Sequence, residues 1–471
     1  MTDNGLRPDF DSSAIAQLAS ITAAATTTDA TVRDLRTLLW ASIDNDSSRD
    51  LDQLTVAVPA PDEATTILVA IADVDAVVKR GCPLDAHAQV NTTSVYTAAA
   101  TFPMLPEKLS TDLTSLGQDK ERLAIIIAMT ISPLGTVASS DIYRALVLNR
   151  AKLAYNSVAA WLDGKEPAPA PIRAVAGMDA QLRLQDKIAQ TLRKARRSRG
   201  ALELQTLEAE PVFDATVLAD LRPDEDNRAK QLIEEFMVAA NGVTAQFLSG
   251  KKLASLRRVL PDPSHWDRIV AMAAAVGEQL PPEPNALALN TFLSRRRVIA
   301  PSLFADLSLS IVKLLGAGEY VADLPGQTVA GHFALAVADY THSTAPNRRY
   351  PDLATQRLLK AAMSGAASPY TNADLQELAA HCTQQERNAA KVERSVNKSA
   401  AAMLLATRIG ARFDAIVTGA SDKGTWVRIS APTTEGMVVR GFEGLAVGDH
   451  VKVELLHTDV ARGFIDFAKV K

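Results

Sequence analysis

Four aspartates fall within nine residues in the stretch Ile43-Asp44-Asn45-Asp46-Ser47-Ser48-Arg49-Asp50-Leu51-Asp52-Gln53. Asp50 and Asp52 are two apart, so on extended backbone their side chains leave by the same face. Asp44 can fold back across the Ser47-Ser48 turn to meet them. Converging carboxylates repel unless a hard cation sits between them, and an oxygen-only ligand set favours magnesium or manganese. A calcium loop would begin the same way, as D-x-D-x-S. However, its sixth position here is Arg49, not Gly, and its twelfth is Thr55, not Glu. A solvated acidic turn is the other reading the stretch alone leaves open.

A second candidate lies far downstream, in Tyr340-Thr341-His342-Ser343-Thr344-Ala345-Pro346-Asn347-Arg348-Arg349-Tyr350-Pro351-Asp352-Leu353. The spacing predicts a helix from here to about Met363. Two arginines at a helix N-terminus oppose the macrodipole, an arrangement that turns favourable once an anion is bound. Alternatively, Asp352 and nearby acids neutralise the pair. Both readings stay open at this point.

Together the two segments resemble the ribonuclease II / ribonuclease R (RNB-domain) family, whose marks are I-D-x5-D-x-D-D and, much later, Y-T-H-x-T-S-P-x-R-R-Y-x-D. Further segments are similar as well: Ile71-Ala72-Asp73-Val74, Ser94-Val95-Tyr96, Pro103-Met104-Leu105-Pro106, Ile233-Glu234-Glu235-Phe236-Met237 and Gly331-His332-Phe333-Ala334-Leu335-Ala336. The tail, with Gly448-Asp449-His450-Val451-Lys452-Val453, looks like an S1-type RNA-binding barrel. The resemblance implies hydrolysis of single-stranded RNA from its 3′ end, releasing nucleoside 5′-monophosphates. It implies a divalent cation, magnesium or alternatively manganese, on Asp44, Asp50, Asp52 and Gln53. Asp52, Asp50 and Arg348 would carry the chemistry, with Arg348 stabilising charge on the phosphoryl oxygens. Tyr96 and Tyr155 match tyrosines that hold the 3′-terminal nucleotides, and Glu234 and Glu393 match acids near the terminal ribose. Arg349 is assigned to RNA by the same pattern. The family's aromatic clamp after Arg199-Gly200 has only a weak counterpart in Phe213.

Three departures bear on the chemistry. Gln53 stands where the family has its last aspartate, so the site loses a unit of negative charge, and Asp46 is the nearest substitute. This motivates a rival reading, an RNA-binding protein whose catalysis has lapsed. Ala345 replaces a serine inside an otherwise intact block. Only about 40 residues precede the acidic stretch, tight for an independent folded module. An RNA entrance gripped chiefly by the C-terminal barrel is therefore expected. A small-molecule phosphodiesterase fits the tyrosines and the barrel poorly.

The elements that must position these residues read as an α+β arrangement. A helix is predicted over 13–25, capped by Asp11 or Ser12. Strands follow at Leu54–Val58, Thr66–Val74 and Ala124–Ile131. The texture then becomes helical from 141 to 250, from 264 to 320 and from 351 to 409, with a Pro-rich loop at Glu166–Pro171. Five short strands close the chain: Phe413–Thr418, Thr425–Ile429, Met437–Val439, His450–Leu456 and Phe464–Phe467. That is the size of an OB-fold barrel. The expected layout is a short N-terminal helical segment (1–32), a mixed α/β catalytic domain (33–409) and a five-stranded S1-type OB-fold β-barrel (410–471).

Composition sets the outer limits. Fifty basic residues against 54 acidic ones give a net charge of −4 over 471 residues, so RNA cannot be held by bulk basicity. Arg193-Lys194-Ala195-Arg196-Arg197-Ser198-Arg199, Arg257-Arg258 and Arg295-Arg296-Arg297 are local basic clusters, open to RNA contact or to simple solvation. His332 and His342 read as structural. The two cysteines, Cys82 and Cys382, exclude a disulfide framework and a cysteine zinc site, and a cytoplasmic setting follows. The most apolar run, Leu123–Ile131, is nine residues, about half a bilayer crossing, so no membrane is expected. No protein partner is implied.

Overall fold

The computed structural model describes residues 1–205, 209–214, 217–223, 226–421 and 424–470, with main chain alone over 209–214 and 217–223. At its centre is a seven-stranded sheet. In spatial order its strands are Arg33–Asp34, Val137–Leu148, Glu121–Ile131, Thr65–Ala72, Gln53–Pro59, Ala41–Asp44 and Ala151–Ala154. Most neighbours are antiparallel, with Val56 opposite Leu68 and Leu68 opposite Ala128. The central strands are apolar on both faces, as a sheet covered on both sides requires. Ile67, Val69, Ile126, Ile127 and Met129 are all fully buried.

Helices Met178–Ser198 and Arg228–Gly250 share this core through Leu182, Ile188, Leu232 and Phe236. The first also covers exposed sheet edge. Gln181 accepts the Ala57 N–H at 2.6 Å and donates to the Ala57 carbonyl at 2.9 Å, replacing the neighbour that this part of the strand lacks. Gln185 accepts from the Thr55 hydroxyl at 2.7 Å.

Three helices, Trp266–Ala275, Ala286–Ile299 and Phe304–Leu315, form a separate apolar cluster around Trp266, Phe292 and Phe304. The 34-residue helix Asn372–Leu405 opens with a Thr371/Asp374 capping box. Its last turn supplies Ala401, Ala402 and Leu405 to the core of the C-terminal barrel. That barrel is closed from five strands, Arg412–Ser421, Gly424–Ser430, Thr433–Arg440, Phe464–Val470 and His450–Asp459. Two contacts seat it. Arg428 pairs with Asp306 on the three-helix unit, and Gly463 lies so close to the long helix that a Cβ there would fall 2.7 Å from Lys398 Cβ.

The α+β class and all five barrel strands agree with the sequence. Three helical expectations need correction, one of them at Ala209–Asp214 and Val217–Pro223, which pair as antiparallel strands inside the stretch 141–250 read as helical. The capped N-terminal helix ends earlier than 25, spanning Ser12–Ser20, although Asp11 caps it through the Ala14 N–H. The stretch 141–154 is strand, not helix, because Val137–Leu148 pairs along almost all of Glu121–Ile131. The Pro-rich segment ends in a single helical turn, Ala170–Arg173.

Candidate active site

Strand ends build the site. Asp44 is the last residue of Ala41–Asp44, which runs parallel to Ala151–Ala154, with Asp44 opposite Ala154. Tyr155 therefore emerges beside Asp44 at the start of helix Tyr155–Leu162. The acidic stretch then turns back into Gln53–Pro59. Asp44 Oδ1 closes that turn by accepting from the Asn45 N–H at 2.7 Å and the Ser48 hydroxyl at 3.0 Å. Ser115 holds its far side, accepting the Leu51 N–H at 3.0 Å and donating to the Arg49 carbonyl at 2.8 Å.

The arginine turn arrives from the other side. Pro346 and Asn347 lie inside a tight turn in which the Arg349 N–H donates to the Ala345 carbonyl at 2.9 Å. This aims the Asn347 N–H at Asp52 Oδ1, 2.9 Å away. Arg348 Nε lies 3.7 Å from Asp52 Oδ2, with its side chain 44% exposed. A third wall is strung on the same turn, since the Ser94 N–H donates to the Arg348 carbonyl and the Tyr350 N–H to the Thr92 carbonyl. It carries Tyr96, whose hydroxyl donates to Asp50 Oδ2 at 3.2 Å and whose N–H donates to Glu393 Oε1 at 3.0 Å.

Electrostatics tie the group together. Asp52 is 2% exposed. Burial pushes its carboxyl up to about 7 against the opposing pull of Arg348 and the Asn347 N–H, and the Asp50 charge adds to the rise. Burial also raises Asp44, again with Asp50 adding and Arg348 opposing. Desolvation keeps both tyrosines protonated, Tyr96 with help from Asp50 and Tyr155 with help from Asp44.

Asp44, Asp50, Asp52, Arg348, Tyr96 and Tyr155 thus share one electrostatic neighbourhood, and Glu393 joins it through Tyr96. The donor set fits a hard divalent cation in kind, being oxygen-only with mutually opposed carboxylates. Among the described residues, however, no three His, Cys, Asp or Glu side chains already stand grouped to hold a metal. Asp46 is exposed at the turn, where its main-chain carbonyl faces Lys152 Nζ at 3.5 Å. Gln53 is half-buried at the first position of its strand.

Other expected site residues lie apart. Glu234, on Arg228–Gly250, accepts from Arg196 at 2.9 Å, and Glu235 accepts from the same guanidinium at 2.6 Å. Arg349 makes a two-pronged pair with Asp352 at 2.7 and 2.8 Å, whereas among the described residues the half-exposed Arg348 meets only Asp52, at 3.7 Å. The side chain of Phe213 lies outside the described residues. Several arginines of the basic clusters are paired within the protein. Arg193, Arg197 and Arg297 converge on Glu203, Arg258 pairs with Glu386 and Arg257 with Asp323. His332 accepts the Leu335 N–H and is pushed down to about 4, chiefly by burial. His342 bonds the Tyr320 hydroxyl at 2.7 Å and is held neutral by burial.

Asn347 escaped the sequence reading. Its side chain is fully buried, its Oδ1 faces the Thr114 hydroxyl, and its Nδ2 has no hydrogen-bond partner among the described residues. Only its place between Pro346 and Arg348 could have flagged it. What matters there is a main-chain N–H, which residue type does not reveal.

Residues 32–365 match the RNB domain, and residues 411–470 match the RNase II-type exonuclease C-terminal S1 domain. Ribonuclease R of Aquifex aeolicus is 28% identical over 93% of this chain and 65% of its own length. The chain spans 65%, 65% and 57% of the length of the ribonuclease R proteins of Aquifex aeolicus, Thermotoga maritima and Vibrio cholerae. Mycoplasma genitalium RNase R in complex with ribose methylated single-stranded RNA shares the fold, with a TM-score of 0.88 at 22% identity over 100% of this chain and 77% of that one. Yeast Ssd1, described as a pseudonuclease, shares it more loosely, with a TM-score of 0.69 at 16% identity over 89% of this chain and 52% of that one. With the RNB domain matched across most of its length and the S1 domain behind it, this chain belongs to the RNB-domain family.

Proposed function

We propose that this protein is a 3′→5′ exoribonuclease acting on single-stranded RNA and releasing nucleoside 5′-monophosphates. The observation that carries the reading is the bond from the Asn347 N–H to Asp52 Oδ1. It brings a buried carboxylate and the half-exposed Arg348 guanidinium to one point, next to two tyrosines. Homology to ribonuclease R supports the same activity.

Asp44, Asp50 and Asp52 would hold a divalent cation, magnesium or manganese, with the Gln53 amide as a neutral fourth donor. When bound, such an ion polarises a phosphoryl oxygen and lowers the pKa of a bound water. The protein's own groups do the rest. Arg348 meets the negative charge that grows on the phosphoryl oxygens, and its Nε contact with Asp52 ties it to the acidic turn. Tyr96 and Tyr155 offer faces on which any base stacks, which suits hydrolysis without sequence preference. Glu393, anchored to the Tyr96 N–H, is placed to accept from a ribose 2′-hydroxyl and so to favour RNA over DNA. Glu234 would serve further along the terminal nucleotide, and Arg349 would act from behind by holding the turn. Unpaired cysteines, Cys382 among them buried, suit a reducing cytoplasm. Among the described residues no helix is long and apolar enough to cross a membrane.

Thin-layer analysis of products from uniformly labelled RNA tests this directly. Nucleoside 5′-monophosphates as the only early product support an exonuclease. Internal fragments overturn it. Neutral Gln53 and the likeness to a pseudonuclease favour one second reading, an RNA-binding protein without turnover. That reading requires tight RNA binding and no soluble product with either metal.

A further inference from the structure

Tyr96 stands on a two-residue strand, Val95–Tyr96, paired with the equally short Thr101–Phe102. A ribbon this short does not hold its own position in water. Tyr96 is also 44% exposed, so its ring is not locked by packing. Its support comes from behind. Val95 is fully buried in a small cluster with Leu6, Ala389 and Val392, and Leu6 is 1% exposed.

Polar contacts fasten the same junction. Asn91 treats Arg7 as a strand neighbour would, accepting its N–H at 2.8 Å and donating to its carbonyl at 2.7 Å. Gln385, on the long helix, donates Nε2 to the Gly5 carbonyl at 3.1 Å and to the Val90 carbonyl at 2.6 Å. Residues 5–7 therefore bridge two pieces of chain. One is 90–95, which delivers Tyr96. The other is the helix stretch 385–392, which delivers Glu393.

We infer that the segment Met1–Arg7 is a strap that positions Tyr96 against Glu393 and Asp50, with Leu6, Asn91 and Gln385 as positioning residues for the 3′-terminal nucleotide. The inference rests on the exoribonuclease reading. Packing alone would make these residues general contributors to stability. Acting through Tyr96, they make the grip on the last base depend on contacts remote from it.

The test uses RNA carrying 2-aminopurine as its 3′-terminal base, titrated in chelator so that nothing turns over. The proteins are wild type, Leu6→Ala, Asn91→Ala, Tyr96→Ala and each strap variant combined with Tyr96→Ala. The strap variants are expected to lose quenching of the terminal base as Tyr96→Ala does, and to bind about five- to tenfold more weakly. The combined variants are expected to bind no worse than Tyr96→Ala alone, because the strap has nothing left to position. Thermal melts check folding. If Leu6→Ala unfolds, Asn91→Ala, which leaves the apolar cluster whole, decides the matter. Undiminished quenching in folded strap variants, or losses that add to that of Tyr96→Ala, overturn the strap. Wild-type protein that does not bind this RNA overturns the exoribonuclease reading and the strap with it.

Discussion

Arg349 closes on Asp352, whose side chain is fully buried, whereas its neighbour Arg348 keeps nearly half its surface in solvent beside Asp52. Their substitutions should behave oppositely. Asp352→Ala leaves a buried guanidinium unpaired and removes the acceptor of the Ala345 N–H, so urea unfolding should show a loss of about 3–5 kcal/mol. Arg348→Ala should change stability far less, by about 1 kcal/mol or less for a half-exposed pair, while the cleavage rate falls about 100- to 1000-fold. Asp52 adds a pH signature. Its folded carboxyl sits near 7 against an ordinary 3.8. Between those values the folded protein holds a proton that the unfolded chain has released, so stability falls as pH rises through the window. In chelator at pH 8, Asp52→Asn should therefore melt above wild type. The gain should vanish near pH 4, and a gain that persists there would mean that burial of the charge is not its cause. The meeting of the acidic stretch with Arg348 was legible only through the family resemblance, since residue type and spacing alone left each segment with two readings. Which arginine Asp352 would take was not legible, since both lie within reach along the chain and only the folded turn separates them.

Elements showed a similar division. The barrel strands could be read from alternating apolar residues between Gly- and Asp-bearing turns, a pattern set locally. Val137–Leu148 could not, because its first residues, Val137 to Asp141, are all exposed and it carries little alternation. It is a strand because Glu121–Ile131 offers it a long antiparallel partner. Helix Tyr350–Ser364 begins at the arginine turn as expected, with Pro351 in its first turn. Docking of the barrel on the long helix depends on a position that composition does not mark. Gly463 has φ +66 and no room for a side chain against Lys398 and Ser399. Gly463→Ala should cost about 1–3 kcal/mol, and calorimetry should resolve the loosened barrel as a separate, lower transition. A single unshifted transition would show that this contact does not seat the barrel.

At the scale of the molecule, the acidic site and the barrel divide the work. The acidic site gathers the acids, Arg348 and the tyrosines, while the barrel is tied to the three-helix unit by Arg428–Asp306 and to the long helix by a shared core. Removing residues 411–470 should raise KM for long RNA far more than for a trinucleotide, with kcat on the short substrate retained. Equal KM changes for both would mean that the barrel supports the acidic site instead of gripping the strand. The acids themselves face the most direct test in a gel of 5′-labelled single-stranded RNA and matching DNA. Each is incubated with magnesium, manganese or chelator, beside an Asp52→Asn control of verified fold. A ladder that shortens from the 3′ end of RNA alone, needs metal and disappears in the control is the expected result. Cleavage that survives in Asp52→Asn, or RNA held tightly and left intact under every condition, would overturn the assignment of catalysis to this acidic turn.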